Sequence, residues 1–378
     1  MKLKVALLFG GRSTEHEVSV ISGIQAYENL DKEKYDVVSV YVSKDGDFYT
    51  NPKFLEIKNF KDVDSLLLSS TKITFTKGGF VKSGLFRKFI SIDLAFLLFH
   101  GSFGEDGCVQ GLFETYQIPY TGFNVLGSAI AMDKVISKHV FKSLGFNVAD
   151  FFVINRTDWI NNPKTCLKNM KLKFPLFVKP ADIGSTIGIN KASDMDSLSF
   201  AIEVASTYSD KILIEESLQD CLEVNCAALG YQEAVPSLCE APIRTGDSLS
   251  YEDKYMRGNN KGSKSGSMVS MTRKIPAPIS KKLSDEIQKA TVKIFKELEG
   301  CGVARIDYFV NEKSGEFFVN EINTPPGSMA FYLYEPMGIK YTKLLDTVIK
   351  SALERSAEQN KTQYTFTSSL LSQMAKAA

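Results

Sequence analysis

Asp307, Glu321 and Asn323 lie in GVARIDYFV and EFFVNEIN, two apolar runs separated by the turn sequence NEKSG. That pattern predicts an antiparallel hairpin. Side chains alternate along a strand with period two, so if Asp307 pairs with Glu321, then Arg305 pairs with Asn323 and all four polar groups share one face. Three hard oxygen donors beside one guanidinium suit Mg²⁺ held together with nucleotide phosphates. The competing explanation is the solvated outer face of a hairpin. Against it, Phe317, Phe318, Val319 and Ile322 crowd the polar set, which is unusual for an exposed strand. Pro325, Pro326 and Gly327 stop the strand immediately after its polar end.

A second candidate is Lys179, followed by Pro180 and the loop ADIGSTIG. Gly184 and Gly188 let backbone N–H groups approach phosphate oxygens closely. No GK[ST] follows and the loop joins two strands, so alone it reads equally as a plain hairpin turn. Lys179 tips the reading toward phosphate. Glu215, Glu216 and Leu218, after the apolar ILI, could present acceptors to an adenine and a ribose, although a surface acidic pair is commoner. In GGRSTEHEVS the absence of GxGxxG argues against a dinucleotide fingerprint. Glu15 there either favours a helix dipole beside a Ser13 or Thr14 cap or holds a small substrate's ammonium. His100, opening HGSFGEDG at a strand tip, is either a structural histidine or part of a site.

The elements that must position these residues follow from patterning. The chain has 378 residues, 44% hydrophobic and 24% charged, with a net charge of +1. That length allows two or three domains, and the charge balance provides no global attraction to nucleic acid or membrane. Six cysteines show no CxxC pair and only three histidines are present, so reduced thiols in a cytoplasmic protein are expected. The apolar run in MKLKVALLFGG is too short for a signal segment or a membrane span. VALLF, a glycine turn and a segment with Val18, Ile21, Ile24 and Leu30 read as strand, turn and helix. With YDVVSVYVS and IDLAFLLF as buried strands, residues 1–122 form an α/β domain on a parallel sheet. From residue 123 a second region follows, with strands FPLFVKP, KILIEE and LEVNCAALG. Gly246 to Lys274 is a basic glycine- and serine-rich loop, and its Arg257 to Lys274 part is expected to act as a lid. Leu283, Ile287, Ala290, Ile294 and Leu298 mark one face of a helix.

In order along the chain, FGGRSTEHEVS, HGSFGEDGCVQG, MDK, FPLFVKPADIGSTIG, IEESL, YEDKY, ARIDYF and NEINTPPG closely resemble the D-alanine:D-alanine ligases of the ATP-grasp superfamily, over about residues 3 to 350. The resemblance implies an α/β (α+β) fold of three domains, the N-terminal parallel-sheet domain (1–122), a central ATP-grasp domain (123–213) and a C-terminal catalytic domain (214–350) that clamps ATP, with a polar tail at 351–378. The family uses ATP to phosphorylate the carboxylate of one D-alanine, and the amine of a second attacks the acyl phosphate, making a peptidoglycan precursor.

By matching positions, the resemblance implies two Mg²⁺ (or Mn²⁺) ions on Asp307, Glu321 and Asn323. It places Lys134 and Lys179 on nucleotide phosphates, Glu215, Leu218 and Glu223 on adenine and ribose, and the Ser185 loop on the γ-phosphate. Glu15 would anchor the first ammonium with His100 beside it, and Arg305 and the Gly327 N–H would form the oxyanion site. Lys254 and Tyr255 match the family's lid residues at the substrate and catalytic site. Tyr332 stands before Leu333 where the family commonly has a serine that meets the acceptor's carboxylate, so D-serine, D-lactate or another amino acid is an alternative acceptor. A non-catalytic nucleotide-binding module would be expected to lose a metal ligand or Arg305, and none is lost. The implied partners are small amino acids, with no nucleic acid or membrane and with a homodimer among the assemblies allowed.

Overall fold

The computed structural model describes residues 2–84, 87–243 and 273–377. Strand β1 (Leu3–Gly10) has Val5 to Phe9 wholly buried, as a parallel strand covered on both faces requires. β2 (Tyr35–Val42) and β7 (Leu94–Leu97) flank it in parallel, with Val5 paired to Val37 on one side and to Leu94 on the other. Helix α1 (His16–Asn29) returns over the first face, and α2 (Cys108–Thr115) packs on the second.

The parallel core is as patterned, but the sheet is longer and mixed. Beyond β2 run β3 (Phe48–Thr50), β4 (Thr71–Thr76), β5 (Gly79–Lys82) and β6 (Lys88–Ser91), all antiparallel, giving the order β6-β5-β4-β3-β2-β1-β7. These strands are short and only partly buried, so their apolar signal is weak. Gly78, at φ 72, makes the tight turn between β4 and β5.

A second sheet has the order β10-β9-β11-β8, from β8 (Phe151–Asn155), β9 (Leu176–Pro180), β10 (Asn190–Ala192) and β11 (Lys211–Glu216), all antiparallel. After β10, Asp194 and Ser197 form a reciprocal capping box at the start of a helix (Met195–Ser206) whose Leu198, Ala201, Ile202 and Ala205 bury against β9 and β11. The third sheet, β13-β12-β16-β17, comprises β12 (Leu222–Gly230), β13 (Ala234–Pro236), β16 (Gly302–Asn311) and β17 (Glu316–Asn323). A small ladder of β14 (Ala241–Pro242) and β15 (Arg273–Lys274) brackets residues 244–272.

Period two sorts the third sheet cleanly. Val224, Cys226, Ala304, Ile306, Tyr308 and Ile322 point into one apolar core. The long helix over it (Lys281–Glu297) buries Leu283, Ile287, Ala290 and Ile294, the stripe legible in its spacing, and Ser280 caps it through the Leu283 N–H at 3.2 Å. Phe123, just before helix Val125–Met132, joins this same core with Ala131 from that helix and Phe141 from helix Lys134–Ser143. The opening helices of the 123–213 segment therefore pack on the C-terminal sheet.

The last long helix (Tyr341–Gln359) continues past the expected start of the tail because Val348, Ala352 and Arg355 extend its buried stripe. Arg355 donates to the carbonyls of Tyr120, at 2.7 Å, and Gly122. Among the described residues no helix is long and apolar enough to cross a membrane.

Candidate active site

The β16–β17 hairpin pairs Arg305 with Asn323 and Asp307 with Glu321. The register then shifts by one, because Tyr308 pairs with Val319 and Asn320 is left as the extra residue. This bulge lets Tyr308 and Val319 both enter the core while Asn320 and Glu321 both face the opposite, polar side. All four residues singled out from the sequence thus share the face away from the apolar core. Arg305 donates to both oxygens of Asp307, at 2.7 and 2.8 Å, and the Asn323 amide donates to Asp307 at 3.3 Å. Burial raises the Asp307 carboxyl to about 6 against the pull of Arg305.

The second sheet supplies the facing cations. Lys179, on β9, and Glu215, on β11, form an ion pair, and Lys138 approaches the other Glu215 oxygen at 2.5 Å. Burial alone would raise the Glu215 carboxyl, but Lys138 and Lys179 outweigh it and hold it at about 2. Lys134 donates to the Ile183 carbonyl at 2.6 Å and lies 4.0 Å from Glu321. Its backbone N–H bonds Ala181 O at 2.8 Å, tying the helix start to the entrance of the glycine loop. Lys138 was not singled out in the sequence, yet its place four residues after Lys134 on one helix is a signal that could have found it.

Between the two sheets lies a cleft of about 250 Å³ lined by Lys179, Glu215, Leu218, Glu223, Asp307 and Glu321, with Phe177 and Phe309 as apolar walls. A smaller cavity of about 60 Å³ adjoins it, lined by Glu15, His100, Lys134, Ser185, Arg305 and Gly327. Here Ser185 donates its hydroxyl to the Glu15 carboxylate. Ser185 and Thr186 take left-handed backbone angles, φ 56 and 60, which bend the loop over Glu15. His100 is buried, hydrogen-bonded to Ser22 Oγ at 2.9 Å and to the Pro325 carbonyl, and burial lowers its pKa to about 4. Glu105, which the sequence reading passed over, also lines this cavity, and burial followed by the nearby Glu15 charge holds its carboxyl well above the usual range.

Gly327 opens a short segment (Gly327–Leu333) in which Ser328, Met329 and Ala330 are all left-handed, φ 51, 54 and 49. Non-glycine residues pay roughly 1–2 kcal/mol each for this conformation. Burial of Met329 and Ala330 and the Ser328–Gln25 hydrogen bond at 2.9 Å hold it in place. At its end Leu333 is wholly buried in the apolar core, away from the cavity. Tyr332 directs its hydroxyl to Glu240 Oε1 at 3.2 Å. Lys254, Tyr255 and most of the basic loop lie outside the described residues.

Among the described residues no group of three or more histidine, cysteine or acidic side chains stands ready to hold a metal. Asp307, Glu321 and Asn323 instead offer two carboxylates and an amide oxygen on one face. This fits a hard cation that completes its shell with phosphate oxygens.

Two antiparallel sheets that close on a lysine-lined cleft, one carrying carboxylate and amide side chains and the other a glycine loop, define an ATP-grasp enzyme, an ATP-dependent ligase. The family described as D-ala D-ala ligase N-terminus matches residues 4–123, and that described as D-ala D-ala ligase C-terminus matches residues 140–350. A D-alanine--D-alanine ligase of Ruminiclostridium cellulolyticum is 38% identical over 391 residues, covering 97% of this chain and 99% of that protein. One from Thermosipho melanesiensis is 36% identical over 359 residues, 93% and 94%. Among solved structures, the D-alanine-D-alanine ligase of Coxiella burnetii superposes with a TM-score of 0.78 at 28% identity, covering 95% of this chain and 96% of that one. The VanG D-Ala:D-Ser ligase of Enterococcus faecalis does so with 0.77 at 29% identity, covering 93% and 100%. The chain belongs to the D-alanine--D-alanine ligase family.

Proposed function

We propose that the protein joins two D-alanines, with ATP as the energy source, into the dipeptide used for peptidoglycan precursors. ATP takes the cleft between the sheets, its adenine and ribose beside Glu215, Leu218 and Glu223 and its phosphates toward Lys134, Lys179 and the Ser185 loop. Two Mg²⁺ or Mn²⁺ ions on Asp307, Glu321 and Asn323 neutralise the phosphates when bound. The first D-alanine enters the smaller cavity, its ammonium on Glu15 with neutral His100 alongside. Its carboxylate attacks the γ-phosphorus and ADP leaves. The second amine then attacks the acyl carbon, Arg305 and the Gly327 N–H hold the oxyanion, and phosphate departs. The domain division 1–122, 123–213 and 214–350, a cytoplasmic location and a homodimer belong to the same reading.

The observation that carries it is the hairpin register, which turns Arg305, Asp307, Glu321 and Asn323 together toward the side where Lys134 and Lys179 lie. A second reading keeps the chemistry and changes the acceptor to D-serine or D-lactate. It is favoured by Tyr332, whose hydroxyl is taken up by Glu240. Phosphate release with ATP and Mg²⁺ across D- and L-amino acids and hydroxy acids, with mass analysis of products, separates the two. Absence of any D-alanyl product would overturn both.

A further inference from the structure

The polar face of the third sheet continues past the hairpin. β12 pairs Asn225 with Asp307, and a bridge outside the named strands pairs Asn225 with Glu240, so Glu321, Asp307, Asn225 and Glu240 form one row across the sheet. Glu240 is 2% exposed and marks the far end of that row from β17. Its Oε1 accepts from the Tyr332 hydroxyl and from the Asn225 amide, both at 3.2 Å, and its Oε2 accepts from Arg273 at 2.8 Å. The Arg273 guanidinium lies 3.8 Å over the Tyr332 ring. The ring is therefore held at its tip and on its face, while its neighbour Phe331 is stacked on Tyr341 at 4.4 Å.

We propose that Glu240 is a positioning residue for the second substrate: it clamps the Tyr332 phenol on the acceptor side of Arg305 and so restricts the attacking molecule to a small D-amino acid. A buried ion pair of this kind adds little net stability over apolar packing, so stability alone does not account for it. Its place does. Phosphates occupy the Glu321 and Lys179 end of the site, and the attacking amine must reach the acyl carbon beside Arg305 and Gly327 from another direction. Tyr332 ends the segment that Gly327 opens, and both it and Glu240 stand within charge range of Arg305. A ring that cannot swing away forms a fixed wall against any acceptor side chain much larger than methyl. The inference rests on the function proposed above.

The test is competition, with D-alanine as donor and D-alanine against D-2-aminobutyrate or D-valine as acceptor, read as the ratio of dipeptides by mass. Glu240→Gln keeps the size of the side chain and removes the charge that holds Arg273. It is expected to shift the ratio about tenfold toward the larger acceptor while the KM for ATP stays put, since one methylene in a pocket is worth about that discrimination. Tyr332→Phe, which loses only the hydroxyl, shifts it the same way, and the double variant adds less than the sum because both loosen the one Glu240–Arg273–Tyr332 network that holds the ring. An unchanged ratio in both single variants overturns the proposal, as does a parallel rise in the KM for ATP. If the unaltered protein makes no D-alanyl dipeptide, the underlying functional reading falls and this inference falls with it.

Discussion

Ser185, on the glycine loop of the second sheet, donates a hydrogen bond to Glu15, 170 residues earlier at the mouth of the first. The contact closes one wall of the smaller cavity. A Cβ added at Gly184 would fall well inside contact distance of the Glu15 carboxylate. Gly184→Ala should therefore push the loop off Glu15 and lower kcat/KM for D-alanine by about tenfold or more, in line with small misplacements at active sites. The melting temperature should hardly move. Wild-type kinetics in this variant would refute the latch.

Glu321 is partly exposed on the polar face of the hairpin, so its side chain contributes little to the core. Glu321→Gln should leave urea unfolding unchanged and lower turnover by roughly a hundredfold or more, because phosphoryl transfer depends on charge neutralisation at the phosphates. Mn²⁺ binding in the presence of a nonhydrolysable ATP analogue, followed by electron paramagnetic resonance, should weaken in parallel.

Glu215 sits buried between Lys138 and Lys179. Removing its charge strands two ammonium groups in the interior, so Glu215→Gln should cost about 3–5 kcal/mol of unfolding free energy without nucleotide. Denaturant titration measures this. A loss below about 1 kcal/mol, the value of a surface pair, would show that the lysines find water instead.

His100 has its pKa lowered to about 4 by burial. The unfolded chain, with the ordinary value near 6.5, then binds the proton more tightly than the folded one. Stability supplied by the neutral ring is complete above about pH 6.5 and is lost as pH falls toward 4, up to about 3 kcal/mol. Comparing unfolding of the native protein with His100→Asn across pH 4 to 7 isolates it, and the variant should show a shallower acid slope. Equal slopes would mean that other groups carry the acid sensitivity.

Local order settled much of this protein in advance. Period-two alternation was enough to put Arg305 with Asp307, and Glu321 with Asn323, on one face of their own strands, but the register running from the NEKSG turn would pair Asp307 with Asn320, and only the bulge at Asn320 brings the two pairs to the same face. The stripe from Leu283 to Ile294 likewise made its helix legible. Burial of Asn225 and Glu240 beside Asp307 was not legible, since β12 and β16 lie some eighty residues apart in the chain and neither residue sits in a motif. Nor was the approach of Glu105, although it lies in HGSFGEDG, to Glu15, or the partner of the Tyr332 hydroxyl, which turns to Glu240 at the end of the left-handed segment after Gly327. Periodicity determines which way a side chain faces within its own element. Which elements meet, and hence which charges must find partners out of water, is decided only when the sheets pack.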